Sequence, residues 1–264
     1  MGSTAGTPGG PSAMTVTSCL SAAPPAAAGR QFTVSSRSGP TIVVMQPYDA
    51  YSYPQAGARG QALGKVLGLL GVAAIFTAAG ALLSPGLGLL GFFLGLVGGL
   101  GCLIVLNFVK ERAPLNLILL FAFATFEGIL LGGILETYLA HGLGLLVLNA
   151  ASATGLVTLI AGGYGYTTKR DLTGLGSFLF IGLLVLIGAS IVGLFLHLAL
   201  LQMAIAAGGA LLFTAFLVFD LNRVARAGDV SQGDTILLAV SVYIDIVNLF
   251  VFLLQLLGFA RESD

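Results

Sequence analysis

Residues 172–196 read LTGLGSFLFIGLLVLIGASIVGLFL, twenty-five positions without a charge. As an α-helix this run rises about 37 Å, more than the roughly 30 Å hydrocarbon core of a bilayer. In lipid only a helix or a closed barrel satisfies every backbone N–H and C=O. Working outward, charges and chain breakers delimit six more runs: Val66 to Leu83, Gly86 to Val109, Ala113 to Ala140, Gly142 to Tyr166, Leu198 to Asp220 and Thr235 to Gly258. The pattern predicts an all-α integral membrane protein, a bundle of seven transmembrane helices over residues 61–260. The whole composition agrees: 57% of the 264 residues are hydrophobic, 8% are charged, and mean hydropathy is +1.01. A soluble domain carries about a quarter charged residues. Eleven Lys and Arg balance eleven Asp and Glu, leaving no basic surplus for nucleic acid. The two cysteines, Cys19 and Cys102, make neither a disulfide framework nor a zinc spacing, and no cofactor is expected.

Residues 1–60 carry seven of the nine prolines amid Gly, Ser and Ala, with four charges. Such a stretch buries too little surface to offset its ordering entropy and is expected to be a disordered cytosolic tail. Its Pro47-Tyr48-Asp49-Ala50-Tyr51-Ser52-Tyr53-Pro54 cluster reads as a solvated linker or a partner-binding linear motif. Residues 261–264 form a short tail at the other end. Gly91, Gly95 and Gly99 in the second span, and Gly64 and Gly68 in the first, have the spacing of close-packing helix faces.

Lys and Arg fall on alternate links: Arg59 and Lys65, Lys110 and Arg112, Lys169 and Arg170, Arg223 and Arg226. Cytoplasmic loops retain such residues, so the N-terminus is expected in the cytosol and the C-terminus outside, with Arg261 the dissenting charge. A six-span version with a re-entrant last segment would return the C-terminus to the cytosol.

Four carboxylates fall within spans: Glu127, Glu136, Asp220 and Asp245. A charge near the membrane centre costs roughly 3 kcal/mol on insertion scales and needs a partner, water or a proton. Asp220 has Arg223 at i+3, so an interfacial ion pair is one reading. Asp245 shares a helix face with Ser241 at i−4 and Asn248 at i+3, a polar stripe suited to the bundle interior. A short loop joins the two helices. Counted from Thr235, Asp245 lies about 10 Å deeper than Asp220, less if Asp234 caps a helix that begins outside the membrane. If the carboxyls meet, they share a proton and sense its concentration. Glu127 sits at mid-span as an ion-path residue, whereas Glu136, His141 and His197 read as outer interfacial side chains.

The stretch Phe219-Asp220-Leu221-Asn222-Arg223, then Ala239 to Phe250 with Leu253-Leu254-Gln255-Leu256-Leu257-Gly258, closely resembles the C-terminal signature of the Bax inhibitor-1 family. Phe121 to Gly128 and Lys169-Arg170-Asp171-Leu172 are similar to its pattern as well. The resemblance implies seven helices with the last at the centre, and a pH-sensitive calcium leak. The family's paired aspartates fall on Asp220 and Asp245, where calcium would bind transiently. Its basic latch at the end of the second helix falls on Lys110, in Val109-Lys110-Glu111-Arg112, where lysine replaces the expected arginine and lacks its bidentate fork. Arg112 is the second base there, and Glu111 competes for both.

The bilayer, calcium ions and protons are therefore the expected partners, and a non-enzymatic channel the expected function. A regulator that binds a membrane protease or death-pathway protein without transport is the alternative. An intramembrane aspartyl protease is the enzyme alternative, with Phe219-Asp220 and Gly233-Asp234 but no Pro-Ala-Leu. A bacterial inner membrane is the expected location, an organellar one the alternative. Cysteines placed at Ser84, His141 and His197 are expected to label from outside and one at Gly228 from the cytosol; labelling of Ser263 from the cytosol alone would overturn the seven-span topology.

Overall fold

Lipid exposure on most of its surface lets a helix stay apolar all round, and the runs above fold into helices of that kind. The computed structural model describes Gly2 and residues 56–196, 198–227 and 230–262. Cys19, the Tyr/Pro cluster, His197, Gly228 and Ser263 lie outside the described residues. The chain divides into two units, 1–51 and 52–264, and the second contains α1 (Ala56–Leu83), α2 (Gly88–Val109), α3 (Leu115–Ala140), α4 (Gly144–Thr167), α5 (Leu175–Leu196), α6 (Ala199–Arg226) and α7 (Gln232–Glu262). All seven are long and apolar enough to cross a membrane. The protein is an all-α, seven-span membrane protein.

The helices end where the runs predict at Leu83, Val109, Ala140 and Leu196. Gly86 and Gly142 turn the chain at φ +80° and +73°, a region that side chains disfavour. Differences concentrate where charge marked a border. α1 begins at Ala56, inside the stretch assigned to the tail, and α6 continues past Asp220 to Arg226. Charged residues mark the edge of the hydrocarbon, but Arg, Asp and Asn do not stop a helix that still has helix-forming neighbours. α7 is a single unbroken helix of 31 residues, with no re-entrant bend.

α3 packs between α1 and α2; α6 packs against α4, α5 and α7; and α7 also touches α1, α3 and α4. α6 and α7 bury the largest share of their length, and α5 the smallest. The α1–α3 seam is backbone against backbone. A Cβ at Gly80 would overlap the Thr125 carbonyl, one at Gly128 the Thr77 carbonyl, and one at Gly132 the Ala81 carbonyl and the Ser84 hydroxyl. Gly91, Gly95 and Gly99 of α2 are buried against α3 as expected. The expected face at Gly64 and Gly68 meets no partner among the described residues: none of them lies within 4 Å of a Cβ at either position. The close approach of α1 occurs three turns later, at Gly80. Ser84 is 3% exposed, so a label for that link belongs on exposed Pro85 rather than on Ser84.

Gly128→Ala forces a methyl into a carbonyl that cannot yield without moving α1, and is expected to destabilise by about 1–3 kcal/mol. Gly68→Ala meets open space and is expected to be neutral or to stabilise by up to about 1 kcal/mol through helix propensity. Thermal unfolding of the full chain in detergent distinguishes the two.

Candidate functional site

Asp220 in α6 and Asp245 in α7 are 5% and 4% exposed. Their carboxyls are electrostatic neighbours across the α6–α7 seam, and the Ser241 hydroxyl lies on the Asp220 side of it. Asp245 Oδ2 is buried without a hydrogen-bond partner among the described residues. Arg223 Nη1 donates to Asp220 Oδ1 at 2.9 Å, and its guanidinium lies 5.7 Å from the Phe219 ring centroid. Asp220 is thus both the i+3 partner of Arg223 and one half of a buried carboxyl pair.

The expected depth mismatch disappears through the start of α7. Asp245 lies thirteen residues from Gln232, about 20 Å of helix, while Asp220 lies six from Arg226, about 9 Å. The first turns of α7 therefore overhang the end of α6 by about 10 Å. The cap is Ser231 and not Asp234: its hydroxyl accepts the Asp234 amide at 3.0 Å and donates to Glu111 Oε1 at 2.9 Å. A hydroxyl at the position before Gln232 reaches the third helical N–H, which leaves Asp234 free to point elsewhere.

It points to Lys110. Lys110 Nζ donates to Asp234 Oδ1 at 2.7 Å, eleven residues and about 16 Å of helix away from Asp245. In this arrangement the expected latch residue holds the overhanging start of α7, not the aspartate pair. Three contacts seat the link between α2 and α3 there. The buried Asn116 amide donates to the Lys110 carbonyl at 2.7 Å. Glu111 accepts from Ser231, and Gly233 packs so closely that a Cβ would stand 2.6 Å from the Lys110 carbonyl oxygen. The Asp234 hydrogen bond and charge raise the Lys110 ammonium above the ordinary lysine value. Arg112 is exposed and in no ion pair among the described residues.

The neighbouring link, between α4 and α5, is held by α6. Asn222, 2% exposed, donates to the Gly165 carbonyl at 3.1 Å and accepts from Arg226 Nε at 3.1 Å. Arg226 Nη2 reaches the Lys169 carbonyl at 3.0 Å. In the same link, Thr173 donates its amide and hydroxyl to Asp171 and holds that carboxyl below its usual range.

Glu127 stands at the middle of α3, half-buried near Tyr243, without a side-chain hydrogen bond or ion pair among the described residues. Tyr243 shares a 2.7 Å hydrogen bond with Thr77 of α1. Asn248 donates to its own helix at the Ile244 carbonyl and lines a cavity of about 370 Å³ under α5, with Leu186, Phe213 and Phe252. The structure thus brings Asp220, Asp245 and Ser241 together, leaves Asn248 one turn further along α7 from Asp245, and places Glu127, Lys110 and Arg112 on other elements. Among the described residues no group of three or more His, Cys, Asp or Glu is placed to hold a metal ion. The residues that sequence reasoning missed are Ser231, Asn116 and Asn222. Ser231-Gln232-Gly233-Asp234 carried a usable signal, a hydroxyl three residues before a carboxylate at a helix start.

A bundle that crosses the membrane seven times and buries two facing carboxyls between its last two helices belongs to a narrow class of integral membrane proteins. The chain is a member of the Bax inhibitor-1 family: the family model described as "Inhibitor of apoptosis-promoting Bax1" matches residues 59–262. It is similar to "Modulator of FtsH protease YccA" of Escherichia coli, 34% identical over 187 residues, 71% of this chain and 82% of that one. Mouse "Protein lifeguard 4" is 35% identical over 161 residues, covering 61% and 65% of the two chains. The "Golgi anti-apoptotic protein" of vaccinia virus is 31% identical over 166 residues, covering 63% and 68%.

Lys110→Ala and Asp234→Ala are each expected to lower Tm, and the double variant to lower it no further than the more damaging single one, because the two side chains act as one unit. The sign with pH follows from the raised lysine. Its contribution is fully present below the unfolded value of about 10.4 and is lost as pH rises through the folded value. Wild type and Lys110→Ala should therefore converge in Tm under strongly alkaline conditions, and again in acid, where Asp234, held below its ordinary value by Lys110, takes up a proton and the pair is lost.

Proposed function

We propose that this protein is a pH-sensitive calcium leak channel in which Asp220 and Asp245 form the proton sensor. The observation that carries this reading is the meeting of two nearly buried carboxyls from different helices, with one oxygen unpartnered and Arg223 as the paired cation. Such a pair holds a shared proton, and its charge changes when that proton leaves. Together with the Ser241 hydroxyl it offers the oxygen donors that calcium, here the transported substrate, prefers. Calcium entering the pair must compete with the Arg223 guanidinium. Glu127, at mid-membrane and without an ion pair among the described residues, supplies the next stop on the path. Lys110 acts on the gate indirectly, by clasping α7 through Asp234, and Arg112 reinforces the local positive charge. The N-terminus lies in the cytosol and the C-terminus outside, in a bacterial inner membrane such as the one named for the similar "Inner membrane protein YccA".

A second reading is supported by the similar E. coli protein, whose name makes it a modulator of a membrane protease: a regulator that binds a membrane-protein partner without transport. Protease chemistry in this chain itself has less support, because Asp234 is engaged by Lys110, well away from the carboxyl pair.

Purified protein in calcium-loaded liposomes tests the proposal. Asp245→Asn is expected to flatten the pH dependence of calcium efflux between about pH 6 and 8, Asp220→Asn to do the same, and the double variant to add little. Lys110→Ala should raise the leak at neutral pH, and Arg112→Ala should raise it less. Absence of flux from wild-type liposomes, with retained binding of a membrane protease, would establish the regulator instead.

A further inference from the structure

At the end of the bundle away from Lys110, a cavity of about 480 Å³ opens between the last turns of α3, the start of α4 and the last turns of α7. Its wall has two chemistries. Tyr138, His141, Gln255 and Arg261 supply hydrogen-bonding and charged groups, while Leu146 and Phe259 supply an apolar face. His141 Nδ1 is bonded to the Thr137 carbonyl at 2.7 Å, which fixes the ring at the rim. The Tyr138 hydroxyl is drawn close to α7, since a Cβ at Gly258 would stand 3.3 Å from its oxygen. Arg261 is in no ion pair among the described side chains.

The depth of this cavity narrows its ligand. α7 is 31 residues long, about 46 Å at helical rise, against a hydrocarbon core of roughly 30 Å. Its last turns therefore stand at the level of the headgroups. A long basic side chain is at home there, its stem in apolar surroundings and its charge in the polar layer. The C-terminal ends of α3 and α7 oppose an anion weakly through their dipoles, and the N-terminal end of α4 at the same rim offsets this. Arg261 brings a full positive charge to the lining, against Glu262 and Asp264, which follow it in the sequence.

We propose that this cavity binds a phosphate ester, with the Arg261 guanidinium on the phosphate oxygens, Gln255 as a further hydrogen-bonding group, and Leu146 and Phe259 against the apolar remainder. Two sources share that chemistry: a phospholipid headgroup entering from the bilayer, and a soluble phosphate ester entering from water. Planar forked guanidinium donors suit phosphate oxygens better than a lysine does.

The test uses the full chain in detergent micelles and three probes: dioctanoylphosphatidylglycerol, dioctanoylglycerol with the same chains but no phosphate, and inorganic phosphate. Native mass spectrometry reads the bound fraction. Dioctanoylphosphatidylglycerol should bind saturably and roughly tenfold more tightly than dioctanoylglycerol, and Arg261→Gln should remove about that factor, the size of a lost charge-assisted hydrogen bond. Arg261→Lys should retain part of the affinity and Gln255→Leu should lose a smaller part; unchanged Tm and helical content in each variant separate these effects from misfolding. Displacement of the lipid by millimolar inorganic phosphate assigns the site to a soluble ester, and resistance to displacement assigns it to the headgroup. Equal affinity of wild type and Arg261→Gln, or of the two dioctanoyl probes, would overturn the proposal. None of these readouts depends on calcium flux.

Discussion

Lipid gives two helices no reason to hide apolar side chains from each other, so this bundle depends on places where one backbone can touch another. The seam between α1 and α3 is such a place. Gly80, Gly128 and Gly132 admit carbonyl oxygens of the opposite helix to distances that any Cβ would forbid. Gly95 does the same for α2 against Phe126 of α3, and Gly165 for α4 against Val218 of α6. The side chains outside these seams are free to be large, branched and lipid-facing, as Ile75, Phe178 and Leu211 are.

α7 is built differently. It packs on four other helices and keeps its polar residues, Ser241, Tyr243 and Asp245, turned into protein. The position of those residues is set from its N-terminal end, where Ser231 caps the helix and Lys110 holds Asp234. Asp245 and the clasp residue Asp234 are thus two stations on one helix, one inside the bundle and one at its basic end.

The fold was legible to the residue at the ends of four runs, Leu83, Val109, Ala140 and Leu196, because hydrophobic length and the links that interrupt it act locally. It was less legible where charge stood for a helix end, as at Asp220, since a charge fixes depth without stopping backbone hydrogen bonding. The two aspartates were legible because ionisable residues in an apolar run are rare. Their neighbours were not. That Lys110 finds Asp234 depends on how far α7 overhangs α6, which depends in turn on a serine cap that also answers to Glu111 from another link. Glycine spacing likewise tells that a close-packing face exists without telling which helix meets it. Gly64 and Gly68 have the spacing but no neighbour, whereas Gly128 and Gly132 have both.

The overhang of α7 also has a mechanical meaning. From Gln232 to Glu262 the helix contains no proline and no break, and kinks arise almost always at prolines, bulges or glycine pairs. It is a stiff rod with one end standing clear of its neighbour and gripped by the link between α2 and α3. A push or twist on that grip cannot be absorbed by bending on the way, so it reaches Asp245 as a rotation or a slide of the whole helix face. The carboxyl pair is then the point where movement at the bundle's rim becomes a change in the separation of two carboxyl groups.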